Sequence, residues 1–185
     1  MAFTLWFTGL PGSGKSVIAK GVKKKFLEDY NNKINNKIEI LRLDEIRKII
    51  TPNADYSDKE RDIVYRTLYL MAKILNENDI NAIIDATANK RLWRSEARKL
   101  IKNFAEVYIK CPVEICIERE RERCDGVTPA NIYEKAKRGA PVPGINVPYE
   151  EPENAEVVVD SSKLSVNEST GLIMKFIDSI YELDY

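Results

Sequence analysis

Apolar and polar positions follow one another along the chain in two distinct patterns. Short, almost continuous apolar runs are typical of strands that are buried on both faces of a parallel sheet. Such runs predict strands at residues 2–8, 38–43, 80–84, 105–110 and 155–159. Apolar residues spaced three and four apart predict helices at residues 14–30, 45–50, 57–75, 90–103, 113–123, 132–138 and 167–181. Because strands alternate with helices, the predicted fold class is α/β, with three layers (α/β/α), a five-stranded parallel sheet and one domain over 1–185.

The longest predicted helix has the clearest start signal. Ser57 and Glu60 have the S-x-x-E spacing of a capping box, in which each residue satisfies a backbone N–H of the other. The residues expected on its core face are Val64, Leu68, Met71, Ala72 and Leu75. The closing helix is expected to bury Leu172, Ile173, Phe176, Ile177 and Ile180.

Residues 124–152 interrupt this regular pattern. The segment holds five of the eight prolines, around one short predicted helix. Long irregular segments inside a compact domain are usually functional loops. We therefore expect 124–152 to form a mobile lid.

The first strand leads directly into Gly9-Leu10-Pro11-Gly12-Ser13-Gly14-Lys15-Ser16, which reads G-x-x-x-x-G-K-S. This phosphate loop (P-loop), followed by a helix, predicts a triphosphate site. Gly9, Gly12, Ser13 and Gly14 let backbone N–H groups face the phosphates, and Lys15 brings a positive charge to them. The hydroxyl of Ser16 is expected to bind Mg²⁺, so the loop alone predicts Mg²⁺ and a nucleoside triphosphate, either ATP or GTP. The fold is thus expected to be a kinase-type P-loop NTPase.

The amino-acid composition limits the possible binding partners and the possible catalytic bases. Lys and Arg number 29, as do Asp and Glu, and this neutral balance argues against a nucleic-acid footprint spread over the surface. The run Lys23-Lys24-Lys25 is expected to be a solvated helix face. The sequence has no histidine, so a general base must be Asp, Glu, Lys or Tyr.

The cysteines and the apolar runs bear on location. Cys111, Cys116 and Cys124 match neither a zinc site nor a disulfide framework, and the first two are expected to be buried thiols. No apolar run approaches the roughly 18 residues of a membrane span. Met1 leads straight into a strand, so we expect no targeting segment and a cytoplasmic location. The sequence leaves open whether the chain forms a homodimer.

Two aspartates follow predicted strands at the edge where ligands bind in parallel sheets. Asp44, expected one strand from the P-loop, is the candidate that orients the attacking hydroxyl and accepts its proton. An alternative is that Asp44 is only the N-cap of the next helix. Asp85 resembles a Walker-B aspartate and is expected to hold Mg²⁺ together with Ser16. Its alternative role is that of a turn or cap residue.

Three arginines are candidate anion ligands. Arg47 and Arg61 follow the elements expected to wall the acceptor side, where they would bind an anionic acceptor. Arg119, at the base of the lid, is expected to reach the donor phosphates or to stack on the nucleotide base. For Arg47 and Arg61, the alternative is an ordinary ion pair, which contributes little at a surface.

Longer stretches resemble one family, the adenylylsulfate kinases. Residues 6–16 resemble its W-F-T-G-L-S-G-S-G-K-S, and residues 144–152 resemble its lid motif G-I-x-x-P-Y-E-x-P. Residues 56–66, 106–116 and 133–136 are also similar to the family. The resemblance implies transfer of the γ-phosphate of ATP to the 3′-hydroxyl of adenylyl sulfate, giving 3′-phosphoadenylyl sulfate. It also implies that Tyr56 stacks on the acceptor adenine and that Gly144 and Ile145 close over the acceptor.

Several positions depart from the family pattern. The family's L-D-G-D-N-x-R after strand 2 is Leu41-Arg42-Leu43-Asp44-Glu45-Ile46-Arg47 here, which keeps the second aspartate and the arginine. Val64 replaces an asparagine, and Ala88 replaces a serine, so no phosphoserine can form there. Ala140 and Val142 replace a lysine and a stacking phenylalanine. The donor half is therefore nearly intact and the acceptor half is altered.

Two alternatives remain open at this point. One is a P-loop kinase for another acceptor, such as a sugar acid, a nucleotide or the 5′-hydroxyl of RNA. The other is a nucleotide-binding regulatory module without transfer chemistry, which would bind ATP but release no ADP in response to an acceptor.

Overall fold

The computed structural model describes residues 2–31, 36–122 and 131–182. The elements in these ranges, in chain order, are β1 (Thr4–Thr8), α1 (Lys15–Asp29), β2 (Ile38–Arg42), α2 (Leu43–Ile50), α3 (Asp58–Glu77), β3 (Asn81–Asp85), α4 (Arg91–Leu100), β4 (Phe104–Lys110), α5 (Val113–Glu122), α6 (Ile132–Lys137), β5 (Val157–Asp160) and α7 (Val166–Glu182). The predicted strand–helix alternation is confirmed.

The five strands form one sheet in the order β2-β3-β1-β4-β5, and every neighbouring pair is parallel. The sheet has a hydrophobic cluster on each face. One cluster, including Phe7, Phe26 and Ile173, joins β1 to α1 and α7. The other, including Trp6 and Leu68, joins the sheet to α3 and α4. Helices thus cover both faces, and the predicted three-layer architecture is confirmed.

The junction between β2 and α2 differs from the sequence expectation. The strand ends at Arg42 and the helix begins at once with Leu43, so no loop separates them. Leu43 and Ile46, three residues apart, pack against the second cluster, which favours helix over strand at this point. The residue at the N-cap position is Arg42, and Asp44 lies in the first turn. The idea that Asp44 is the N-cap is therefore wrong.

Strand order and helix faces bring further corrections. Because β3 lies between β1 and β2, Asp44 is two strands from the P-loop rather than one. Met71 and Leu172, both expected in the core, are exposed at 37% and 41% of their surface. Arg61 and Tyr65 are buried instead, so the buried stripe of α3 is rotated toward them.

The start of α3 confirms half of the capping box. The Ser57 hydroxyl accepts a hydrogen bond from the Glu60 N–H at 3.2 Å. The Glu60 carboxylate, however, accepts from the Asp55 N–H at 2.6 Å and pairs with Arg47. Glu60 was expected only to cap α3. Its side chain instead connects the loop before α3 to Arg47 of α2, close to the candidate site.

The described part of the predicted lid, residues 131–152, packs against the carboxyl ends of the strands. The Tyr133 hydroxyl donates to the Pro11 carbonyl at 2.6 Å. The hydroxyls of Tyr149 and Thr8 are 2.9 Å apart, which joins the lid to β1. Residues 124–130 of the predicted lid lie outside the described residues. Among the helices that the structure describes, none has the length and apolarity needed to cross a bilayer.

Candidate active site

A cavity of about 410 Å³ opens at the carboxyl ends of the strands, beside the P-loop. Its wall combines the loop with acidic and basic side chains from three other elements. The residues lining it include Gly12, Gly14, Lys15, Ser16, Asp44, Asp85, Thr87 and Arg119. Most of the predicted donor-side residues therefore meet in one place, and we call this space the donor cavity.

Backbone conformation explains the glycines of the loop. Gly9, Gly12 and Gly14 have φ values of 150°, 80° and 98°, which a side chain would strain. A Cβ on Gly12 would also lie closer to the Cys116 carbonyl oxygen than side chains tolerate. The loop is thus pressed against the start of α5. The Cys116 thiol is buried, as predicted.

Lys15 is buried and turned toward its own loop. Its Nζ donates to the carbonyl oxygens of Gly9 at 2.9 Å and Leu10 at 2.8 Å. These partners hold the ammonium group at the edge of the donor cavity, where a phosphate chain would replace backbone carbonyls as its acceptor.

Ser16 and Asp85 are the candidate Mg²⁺ ligands, and both line the donor cavity. The described residues contain no group of three or more His, Cys, Asp or Glu that could hold a metal ion by themselves. Mg²⁺ in nucleotide sites needs no such cage, because it uses one or two protein oxygens together with waters and phosphates. A hydroxyl and a carboxylate in one cavity fit that requirement.

Arg119 braces the loop from the side of β5. Its guanidinium donates to the Ser161 hydroxyl at 3.2 Å and to the Ser161 carbonyl at 2.8 Å. The Ser161 hydroxyl in turn donates to the Ser13 carbonyl at 2.7 Å. Arg119 thus lines the donor cavity and also fixes the strand end on which the P-loop rests.

A second cavity of about 260 Å³ adjoins the first, between α2, α3 and the lid. Five residues line both spaces: Pro11, Leu43, Asp44, Thr87 and Ile132. Half-buried Asp44 is the carboxylate among them, so it stands where a donor phosphate and an acceptor hydroxyl would meet. We call this second space the acceptor cavity.

Arg47 and Arg61 both line the acceptor cavity, as predicted. Arg47 pairs with the Glu60 carboxylate, and its guanidinium lies 5.0 Å from the centre of the Tyr56 ring. Arg61 donates instead to three neutral oxygens: the Tyr56 carbonyl at 3.1 Å, the Asn89 Oδ1 at 3.2 Å and the Pro141 carbonyl at 3.1 Å. The charge of Arg61 therefore remains available to an anion.

The lid residues are placed differently from the expectation. Ala140, Pro141, Val142 and Pro143 line the acceptor cavity, whereas Gly144 and Ile145 belong to the lining of neither cavity. Gly144, with φ at 86°, lies against Leu10, where a Cβ would approach the leucine side chain to 2.6 Å. Its glycine lets the lid pack closely on the P-loop. Ile145 is 47% exposed.

Three cavity residues were missed in the sequence. Tyr65 accepts a hydrogen bond from the Ala88 N–H at 3.0 Å and stacks on Trp93. Burial raises the pKa of Tyr65, so its hydroxyl stays protonated. Asn89 and Lys135 also line the acceptor cavity. Lys135 falls in the stretch 133–136, whose resemblance to the family lid was the one available signal.

Two departures from the family pattern lie in the core. Val64 and Ala88 have no exposed surface, and Ala88 adopts a φ of 42°.

Together with the two cavities that meet at Asp44, the parallel sheet and the P-loop define a nucleotide-dependent phosphotransferase of the P-loop kinase class. The adenylylsulphate kinase family model matches residues 1–160, and the chain belongs to this family.

Individual relatives agree with that assignment. The chain is 37% identical over 165 residues to a probable adenylyl-sulfate kinase of Archaeoglobus fulgidus, covering 88% of this chain and 98% of that protein. It is 38% identical over 175 residues to a probable adenylyl-sulfate kinase of Pyrococcus abyssi, covering 94% and 93%. The Mycobacterium tuberculosis APS kinase CysC, solved with AMPPNP and APS, matches with a TM-score of 0.80 at 26% identity, covering 96% and 98%.

Proposed function

We propose that the protein transfers the γ-phosphate of ATP to the 3′-hydroxyl of adenylyl sulfate (APS). One observation supports this most strongly: Asp44 lines both cavities, with the P-loop on one side and two buried arginines on the other. A phosphate chain held by the loop and a hydroxyl held by the arginine side would both face this carboxylate.

The donor half would bind ATP through the backbone of Gly12, Ser13 and Gly14 and through the ammonium group of Lys15. Ser16 and Asp85 would hold Mg²⁺, which neutralises the charge that develops on the phosphates. Arg119 lines the same cavity and would reach the donor phosphates or stack on the nucleotide base. Phosphoryl transfer asks mainly for such positioning and positive charge.

The acceptor half would hold the phosphosulfate against Arg61 and Arg47. The three neutral partners of Arg61 leave its charge for the anion, while Arg47 shares its charge with Glu60. The exposed Tyr56 ring would stack on the adenine. Asp44 would orient the 3′-hydroxyl and accept its proton as the γ-phosphate arrives.

Transfer would be direct. Ala88 has no hydroxyl that could carry the phosphate, and it lies fully buried three residues after the end of β3. The lid, held by Tyr133 and Tyr149 against the P-loop strand, would exclude water and so limit ATP hydrolysis. We also propose a cytoplasmic location, because the buried free thiols Cys111 and Cys116 suit a reducing compartment.

The test is ADP release in the presence of ATP and Mg²⁺ across a panel of acceptors. The panel contains APS, gluconate, free nucleotides and RNA with a 5′-hydroxyl. We expect release above background with APS, and the phosphate on the 3′ position of the product. Release with a different acceptor and none with APS would overturn the assignment, and no response to any acceptor would point to a non-catalytic nucleotide-binding protein.

A further inference from the structure

Arg42 and Asp85 form a pair at the end of two neighbouring strands. They are direct register partners in the parallel pairing of β2 with β3, so their side chains leave the sheet on the same face. Arg42 Nε lies 3.7 Å from Asp85 Oδ2, and both side chains are almost fully buried, at 11% and 6% exposure. Asp85 reaches the donor cavity, and Arg42 lies behind it.

The arginine occupies a position where the family motif has a carboxylate. In L-D-G-D-N-x-R the first aspartate corresponds to Arg42, while the second corresponds to Asp44. The structure shows that the adjacent strand carries a carboxylate, Asp85, about one strand spacing away, roughly 5 Å. In this chain, position 42 therefore carries an arginine and its cross-strand neighbour carries an acid.

We propose that Asp85 supplies from β3 the carboxylate that the motif carries on β2, and that Arg42 is the positioning residue that holds Asp85 toward Mg²⁺. This inference deepens the proposed function, since it concerns the donor half of the same site. It assigns Arg42 no contact with the nucleotide.

The geometry around Arg42 supports a positioning role. A buried carboxylate needs a compensating cation, and Arg42 provides one beside Asp85 Oδ2. This leaves Oδ1 as the oxygen that can serve the cavity. Among the described residues, Arg42 Nε has no hydrogen-bond partner, although it is buried. Its Nη1 also donates to Glu45 Oε1 at 2.7 Å, in a pair that is exposed on the glutamate side and therefore contributes little. The buried Nε beside Asp85, and not the exposed pair with Glu45, therefore carries the positioning role.

The test measures ATP affinity by titration calorimetry with and without Mg²⁺, in the absence of any acceptor. The ratio of the two affinities is the Mg²⁺ enhancement. Arg42→Met should reduce it by about 10-fold, the lower end of what loss of an outer-shell partner costs a metal site, and Asp85→Asn, which removes the proposed ligand itself, should reduce it at least as much. The double variant Arg42→Asp with Asp85→Asn returns a carboxylate to β2 and should recover the enhancement to within about threefold of the original protein.

A matched control separates this role from general stability. Glu45→Gln removes the other partner of Arg42 at an exposed position and should leave the enhancement within about twofold, as expected for a surface pair. The proposal is overturned if Asp85→Asn and Arg42→Met lower the melting temperature but leave the enhancement unchanged, or if the double variant recovers nothing. Because no acceptor is present, either result leaves the choice of APS as acceptor to the ADP-release panel.

Discussion

Replacing Arg61 with methionine should weaken both the fold and the acceptor site. The side chain is 7% exposed and links α3 to the loop before it, to the segment after β3 and to the lid, through Tyr56, Asn89 and Pro141. A hydrogen bond from a charged group contributes about 1.5–3 kcal/mol. The three bonds share one guanidinium and are not additive, so we expect Arg61→Met to cost about 3–4 kcal/mol of unfolding free energy.

For a domain of 185 residues, such a loss corresponds to a melting temperature lower by about 6–16 °C. The KM for APS should rise by about 10-fold or more, because the phosphosulfate of APS would lose the guanidinium group that binds it. The assays are thermal unfolding and acceptor-dependent ADP release. The control is Arg66→Met on the same helix, whose exposed pair with Asp62 should contribute less than about 1 kcal/mol. Equal effects of the two substitutions would refute the role given to Arg61.

Three further substitutions or treatments test other parts of the site. Gly12→Ala should abolish ATP binding, because φ at 80° and the Cys116 carbonyl leave no room for a Cβ, whereas Gly171→Ala in α7 should bind ATP normally and gain about 0.5–1 kcal/mol of stability. Tyr56→Ala should raise the KM for APS about 3- to 10-fold, through loss of the exposed ring that would stack on the adenine, with little change in melting temperature. Burial raises the pKa of Cys116 to about 12, so this thiol is protonated at pH 8 and should resist iodoacetamide until the chain is unfolded; peptide mapping that finds rapid native labelling would contradict its placement.

The P-loop and the sheet were predictable because their chemistry is local. Glycines at positive φ, a lysine and a serine at fixed spacing leave few alternatives to a phosphate site, and buried parallel strands have a recognisable apolar run. Where the predicted helix boundaries were wrong, contacts between residues far apart in the chain determined the structure. The sequence predicts Leu43 as the last residue of a strand, yet Leu43 packs with Ile46 against the second core cluster, and α2 begins two residues earlier than predicted.

The acceptor side was harder to predict for the same reason. Asn89 and Lys135 are separated by 46 positions in the chain, and only folding brings them to one cavity. The partners of Arg61 show the same limit, because Pro141 is 80 residues away from it. The family motif indicated Gly144 as an acceptor residue, whereas its structural role is close packing of the lid on Leu10.

The direct test of a kinase centred on Asp44 is the rate of γ-phosphate transfer from labelled ATP to APS, compared between the original protein and Asp44→Asn. The carboxylate lies where the donor and acceptor cavities meet, and a positioned base contributes roughly 100-fold or more. We predict that Asp44→Asn binds ATP with unchanged affinity and transfers phosphate at least about 100-fold more slowly. Near-normal transfer by Asp44→Asn, or no labelled 3′-phosphoadenylyl sulfate from the original protein, would contradict the account.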